Sequence, residues 1–243
     1  MSSVRPELTV LTLTLNEAGS LGSFFARLKP AVAAVAGEFE LLIVDGGSSD
    51  DTVALATAAG ARVVRQTRPG YGNAYREGLA LSRGRYILTV DADSAHPMEL
   101  FAELWRRREE YSVVMGSRYL PGALDARPAG RKLLSRVLNF AFRTVLRSPL
   151  TDISGGFRLY RAEDVRKMPC EARYYDVVAE LIARLWGNGY RILEIPYHYS
   201  PREHGESKAR VLRFGFFYGL TLLKLRFWLS FQKRSEAPGR ALT

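Results

Sequence analysis

The chain has a single cysteine in 243 residues, Cys170, so no internal disulfide can form, and this fits a reducing compartment. It also lacks a long apolar run. The nearest approach, Phe214–Leu223, is ten residues without a charge, well short of the roughly 18–20 that a membrane-spanning helix needs. Arg210, Arg213, Lys224 and Arg226 bracket that stretch, which predicts a segment lying on a membrane rather than crossing it. Met1–Glu7 has no apolar stretch of the secretory kind, so no signal peptide is expected. Acids are in deficit: 25 Asp and Glu against 35 Lys and Arg leave a net charge of +10. That surplus points to anionic partners, whether nucleic acid, a membrane surface or phosphorylated substrates, without choosing among them.

What is present is a core. Hydrophobic residues make up 47% of the chain and charged residues an ordinary 25%, which argues against disorder over most of its length and provides for one domain, or one domain with an appendage. In the first half, short β-rich runs alternate with stretches of helical spacing. Strands are predicted over Leu8–Leu15, Glu40–Val44, Arg62–Val64, Tyr86–Val90 and Val113–Ser117. Helices are predicted over Leu21–Val35, Asp50–Ala59, Gly72–Ser82 and Pro97–Arg108. Such alternation implies βαβ units and a mostly parallel sheet, whose ligands bind at the carboxyl ends of the strands. The second half is less regular. It predicts an amphipathic helix over Arg131–Leu146, a short strand over Gly156–Tyr160, a helix over Tyr175–Trp186, a long strand over Tyr190–Tyr199, a polar loop over Pro201–Ser207 and a basic apolar tail over Ala209–Phe231.

The polar and glycine-rich clusters fall at predicted strand ends. Asp91 and Asp93 flank Ala92 directly after Tyr86–Val90. Two carboxylates there can share a divalent cation with phosphate oxygens, and a departing diphosphate needs such a cation; the plainer alternative is a cap for the helix near Pro97. Asp45-Gly46-Gly47-Ser48 follows another strand, where the glycines let a ligand approach the backbone and Asp45 can accept a hydrogen bond from a base or ribose. Ser49 and Asp50 equally suit a helix cap. Arg68 opens a glycine-bearing loop that enters a helix through Gly78, a place that favours phosphate, although the glycines could serve turn geometry alone. Arg131 and Ser135, four apart, share one helix face able to grip a phosphate; the neighbouring Lys132 and Arg136 leave a solvated basic face as the alternative.

Taken in order, these segments resemble the family 2 glycosyltransferases of GT-A fold, and within them the dolichyl- or polyprenyl-phosphate mannose synthase group. The resemblance runs through Thr14-Leu15-Asn16-Glu17, Asp45–Thr52, Arg68–Gly78, Val90–Pro97, Gly116-Ser-Arg-Tyr119, Arg131 to Ser135, Asp152–Arg161, Glu194-Ile-Pro196 and Arg202–Lys208, roughly residues 8–208. It implies an α/β GT-A (Rossmann-like) fold, with a mixed, mostly parallel sheet flanked by helices and C-terminal amphipathic helices at a membrane interface. The implied division is a catalytic domain over 1–208, an interfacial helical tail over 209–234 and a disordered end over 235–243.

The resemblance also implies roles. Leu15, Asn16, Glu17 and Asp45 would hold the nucleoside, with Arg68 beside it. Asp91-Ala92-Asp93 would hold the diphosphate and, through Asp91 and Asp93, Mg2+ or Mn2+. Arg118, Arg131 and Ser135 would receive the acceptor phosphate, and Arg202 and Lys208 would close over both phosphates. Two positions depart from the pattern: Asp45-Gly46 stands where many relatives carry adjacent acids, and Ala95 replaces a polar residue, leaving two carboxylates as the protein's contribution to the metal.

A phosphate monoester is largely dianionic at neutral pH, its second pKa being near 6. It can attack an anomeric carbon without a strong base, so His96, His198 and His204 are expected to be structural or loop residues. The expected reaction is one in-line displacement with inversion, from GDP-mannose first or UDP-glucose second, to a polyprenyl or dolichyl phosphate. The expected location is peripheral, on the cytoplasmic face of a membrane, with no nucleic-acid partner. Two other classes stay open on the residues: a family 2 transferase with a soluble or glycan acceptor, and a non-catalytic basic binding module.

Overall fold

The computed structural model describes residues 5–93, 96–199 and 211–235. Its centre is a seven-stranded sheet. Strands β1 (Leu8–Thr14), β2 (Phe39–Asp45), β3 (Arg62–Arg65) and β4 (Tyr86–Thr89) run parallel, joined by helices α1 (Ala18–Ala33), α2 (Thr52–Ala58) and α3 (Tyr71–Leu81). Beyond β4 come α4 (Leu100–Arg106), β5 (Val113–Ser117), β6 (Leu124–Asp125), α5 (Ala129–Leu146), β7 (Arg158–Arg161), α6 (Ala162–Val165), α7 (Asp176–Gly187), β8 (Ile192–Pro196), β9 (His198–Tyr199) and α8 (Val211–Ser235). The sheet order is β3-β2-β1-β4-β7-β5-β8. Only β7 is antiparallel to its neighbours β4 and β5 in this sheet, and a separate parallel pair, β6 with β9, stands beside it. This is the mixed, mostly parallel sheet that the family resemblance implies, and its parallel part is what the alternating pattern predicts.

The pleat assigns the core. Along β2, Leu41 and Ile43 face one side and Leu42 and Val44 the other, as alternation in a doubly covered strand requires. The first side is covered by α1, whose Leu21, Phe24, Phe25, Leu28 and Val32 recur at helical spacing, and by Phe101, Leu104 and Trp105 of α4. The second side is covered by α3, α7 and α8.

The long strand expected over Tyr190–Tyr199 divides. Ile192–Pro196 joins the main sheet beside β5, while His198–Tyr199 pairs with β6, and the buried Tyr197 marks the change of sheet. Pro196 has no N–H to carry the ladder onward. The elements β6 and α6, two and four residues long, are too short to show a period in sequence. The helix expected from Pro97 starts three residues later, because 97–100 forms a turn in which the Leu100 N–H donates to the Pro97 carbonyl. Ser235 closes α8, and the remainder of the expected disordered end, 236–243, lies outside the described residues.

Helix α8 is a packed element. Tyr218, Thr221, Leu225 and Leu229 are buried on one face. The Thr221 hydroxyl donates to Asp176 Oδ2 at 2.7 Å, and Tyr218 Oη donates to the Tyr175 carbonyl at 3.1 Å. Phe216, Leu220, Leu223, Phe227 and Phe231 remain exposed on the same helix. Among the described residues no helix is long and apolar enough to cross a membrane.

The Gly70–Gly72 turn at the head of α3 meets the 172–173 segment backbone to backbone, the Gly72 N–H donating to the Arg173 carbonyl at 3.0 Å. A Cβ at Gly72 would collide with the Ala172 carbonyl, which cannot swing aside as a side chain can. Gly72→Ala is therefore expected to lower the unfolding free energy by about 1–3 kcal/mol in urea titration. Gly130→Ala, in the open first turn of α5, should leave it unchanged or raise it, since the added methyl meets nothing and favours the helix.

Candidate active site

The loops after β1 and β2 form a single unit. The Asn16 N–H donates to Ser48 Oγ, and the Asn16 side-chain oxygen accepts from the Ser49 N–H, both at 2.8 Å. The Glu17 N–H donates to Thr52 Oγ1 at 2.8 Å, and the Ala18 N–H to Asp50 at 3.1 Å. Asn16 adopts φ +51, a left-handed conformation that asparagine tolerates better than most side chains. Asp45 points into this unit. Its carboxylate accepts from the Gly47 and Ser48 N–H groups at 2.8 Å each, from Ser48 Oγ at 2.5 Å and from Thr14 Oγ1 at 3.0 Å. Burial opposes ionisation here, but these bonds, led by those from Ser48, hold the carboxyl below its ordinary pKa. Asp45 thus shapes the loop, and Gly46 rather than Asp45 lines the cleft beside it.

That cleft, of about 310 Å3, opens at the carboxyl ends of β1, β2 and β4. Leu15, Glu17 and Gly46 line one part of it, and Asp91, Ala92, Asp93, Ser154 and Gly156 another. Tyr71, Tyr174, Tyr175 and Tyr218 complete it, with Tyr71 stacked on Tyr175 at 4.1 Å between ring centres. Arg68 is exposed between Gln66 and Gly70, two residues that line the same cleft.

Asp93 is buried and Asp91 partly exposed; His96, further along the same loop, is 2% exposed. His96 Nε2 lies 3.4 Å from Asp91 Oδ2. Its ring stacks on Phe157 at 5.0 Å and meets Tyr199 edge-on, which fixes its plane. One potential ligand atom from each of Asp91, Asp93 and His96 falls within 4.8 Å of the others. Two carboxylates and an imidazole at that spacing fit a divalent cation. The sequence predicts a structural or loop residue at His96; its burial against Asp91 emerges only in the fold. Ala95, the position of the departure from the family pattern, lies outside the described residues, as do Arg202, His204 and Lys208.

A second polar group adjoins the first. Arg118, at the end of β5, is buried and gives Asp152 a two-pronged bond, Nε to Oδ2 and Nη2 to Oδ1, both at 2.7 Å. Burial would raise the Asp152 pKa, but the Arg118 charge and hydrogen bonds bring it down to about 2. Arg118 Nη2 also reaches Ser154 Oγ at 2.9 Å, and Ser154 Oγ lies 3.1 Å from Ser135 Oγ on α5. Arg118 is therefore engaged by Asp152 and is not presented as a lone cation. Arg131 is exposed one turn before Ser135. Ser154 belongs to both groups, since it also lines the cleft with Asp91 and Asp93. Behind it, Glu194 accepts from the Thr151 and Asp152 N–H groups at 2.7 and 2.8 Å. Burial, with the Asp152 charge adding to it, leaves the Glu194 pKa raised despite those bonds. Asp152 and Ser154 fall within the resembling Asp152–Arg161 segment but take no individual role from it, and the four tyrosines carry no signature in the sequence that separates them from ordinary core residues.

Residues 9–168, well over half the chain, match the sequence profile of glycosyl transferase family 2. The chain is 34% identical over 216 residues to an undecaprenyl-phosphate mannosyltransferase of Micrococcus luteus, covering 83% of this chain and 87% of that one. It is 33% identical over 224 residues to a polyprenol monophosphomannose synthase of Mycolicibacterium smegmatis, covering 85% and 83%. Among solved structures it superposes, with a TM-score of 0.71 and 25% identity, on glucosyl-3-phosphoglycerate synthase of Mycobacterium tuberculosis in complex with Mn2+, UDP and glucosyl-3-phosphoglycerate. That match covers 91% of this chain and 80% of the other.

Asp152→Asn leaves a buried guanidinium without its counter-charge and is expected to lower stability at pH 7 by about 3–5 kcal/mol. Because the folded pKa of Asp152 is depressed, its contribution is present above the ordinary carboxylate range and disappears as pH falls toward 2. Urea unfolding at a series of pH values should therefore show the gap between wild type and variant closing below about pH 4.

Proposed function

The chain belongs to glycosyl transferase family 2, and we propose that it transfers a mannosyl group from a nucleotide sugar to a polyprenyl phosphate at a membrane surface. The observation that carries this reading is the adjacency, through Ser154, of the Asp91–Asp93–His96 cluster and the Arg118–Ser135 group. A donor diphosphate and an acceptor phosphate can thus meet across one hydroxyl. The names of the two curated relatives support the sugar and the lipid.

In this reading the nucleoside lies along Leu15, Asn16, Glu17 and Gly46, with Asp45 holding the loop and Arg68 at the rim. Asp91, Asp93 and His96 would hold Mg2+ or Mn2+, which supplies charge neutralisation at the departing diphosphate. Arg131, Ser135 and Ser154 position the acceptor phosphate, Arg118 and Asp152 fix Ser154, and Arg202 and Lys208 close over the phosphates. The acceptor dianion needs no protein base. Its oxygen bonds to the anomeric carbon as the bond to the diphosphate oxygen breaks, and configuration inverts. The rate gain comes from alignment and from charge placement.

The division into a catalytic part over 1–208 and an interfacial part over 209–234 belongs to the same proposal, with the chain held peripherally on the cytoplasmic face. Exposed Leu133, Val137 and Phe140 on α5 add to the exposed row on α8. Apolar side chains among arginines suit the boundary between headgroups and acyl chains.

A second reading, a UDP-sugar donor with a soluble phosphorylated acceptor, is favoured by the likeness to a synthase seen with UDP and Mn2+. A thermal-shift panel of GDP- and UDP-sugars with each metal separates the two, since the true donor raises Tm through binding to the native state. GDP-mannose is expected to give the larger shift. Asp93→Ala should reduce mannosyl transfer to polyprenyl phosphate by at least about a hundredfold; unchanged transfer in that variant would overturn the proposal. His96→Ala should raise the metal concentration needed for half-maximal rate by about 10–100-fold.

A further inference from the structure

A second cavity, of about 280 Å3, lies where the C-terminal part of α5 meets α7 and α8, and it shares no lining residue with the cleft. Leu146, Trp186 and Leu229 give it an apolar lining; Arg147, Arg226 and Ser230 give it a polar one. Among the described residues no carboxylate lines it, and neither arginine forms an ion pair there. Arg226 instead donates to the Ser230 hydroxyl one turn on. Two arginines with no carboxylate among the described residues beside them, set over apolar walls, select an anion attached to hydrocarbon.

The backbone adds an independent sign. Arg147 closes α5 in a left-handed conformation, φ +55, where glycine or asparagine is the usual residue. An arginine is kept at this strained position, and it is one of the residues that line the cavity. Along α8, Phe227 and Phe231 form the row next to Arg226 and Ser230, and both phenylalanines are about two-thirds exposed. Exposed aromatic side chains beside a basic pocket are what a protein presents to a bilayer surface.

We propose that this cavity seats the anionic headgroup of a membrane phospholipid, with its phosphate on Arg147 and Arg226 and its glycerol carbons against Trp186 and Leu229. The assignment rests on the membrane-surface reading above and deepens it by giving the contact a specific site. Docking there would fix the α5–α8 pair, and with it Ser135 and Tyr218, relative to the bilayer.

The test is co-sedimentation of the full chain with vesicles of phosphatidylcholine alone and of phosphatidylcholine with phosphatidylglycerol. Three proteins are compared: wild type, Arg147→Asn/Arg226→Gln, and a charge-matched control, Arg106→Gln/Arg107→Gln, at the end of α4. Asparagine suits the left-handed position, so the pocket variant should fold; unchanged transfer to a short, water-soluble acceptor phosphate verifies this. Wild type is expected to prefer the anionic vesicles. The pocket variant should lose about thirtyfold in affinity for them, the effect of two basic residues at the surface, and the control far less. Equal losses in the two variants would reduce the effect to net charge, and wild-type binding by the pocket variant would remove the site; either result overturns the proposal while leaving the membrane reading standing. Displacement of wild type from the vesicles by inorganic phosphate at constant ionic strength would assign the cavity to a soluble phosphate and overturn it too. Failure of wild type to bind either vesicle would overturn the membrane reading itself.

Discussion

The Arg118–Asp152 ion pair joins the end of β5 to the turn that leads into β7, and both side chains are buried. Removing two charges from water costs several kcal/mol each, so such a pair is poor evidence for stability and better evidence for a geometry that must be held. Here the geometry is that of residues 151–156. Asp152 is fixed by Arg118, Thr151 and the Asp152 N–H by Glu194, and the Ile153 N–H by Asn139 of α5. Arg158, fully buried, adds a strut from β7, donating to the Ile153 and Val178 carbonyls at 2.7 Å each. The turn therefore receives support from β5, α5, α7 and β8 together. What it delivers is Ser154 and Gly156 at the edge of the Asp91–Asp93 site.

The parallel part of this architecture was legible because its signals are local. Each of β1 to β4 is followed by a helix, and the polar clusters sit at the strand ends. Asn16, Asp45 and Asp91 could therefore be brought to one edge from the pattern alone. The later half resists the same reasoning. Strand β7 inserts between β4 and β5, its residues some seventy positions from their β4 partners, and a four-residue strand carries no mark of which way it will run. The Tyr190–Tyr199 run shows strand chemistry throughout, and the change of sheet at Tyr197 depends on the partners β5 and β6 supply.

The side chains show the same limit. Asp45 and Arg118 stand out in the sequence, but the sequence does not show that Asp45 is engaged by Ser48 and its neighbours and Arg118 by Asp152. A ligand-binding reading treats a carboxylate or guanidinium as available, whereas in a buried setting its first obligation is to a partner. His96 illustrates the converse. Close behind Asp93 in the chain it reads as a structural or loop residue, and its packing on Phe157 and Tyr199, both distant in sequence, holds its nitrogen against Asp91. The question left by Ala95, how a site with two carboxylates completes its ligand set, thus meets a candidate one position further along the chain.

Helix α8 alters what an experiment on the tail can mean. Read from sequence, residues 209–234 form an appendage whose removal would isolate the catalytic part. In the fold, Tyr218 is buried, bonded to the Tyr175 carbonyl and part of the cleft lining, and Thr221 ties the same helix to Asp176 at the start of α7. Burying Tyr218, Leu225 and Leu229 contributes about 1.5–3 kcal/mol for each large side chain. Truncation would open the cleft and uncover the core along with the exposed row, so lost binding and lost activity would have one trivial cause. The two faces can be separated only by changing exposed residues such as Leu220, Leu223 and Phe227 while Tyr218 and Thr221 stay in place.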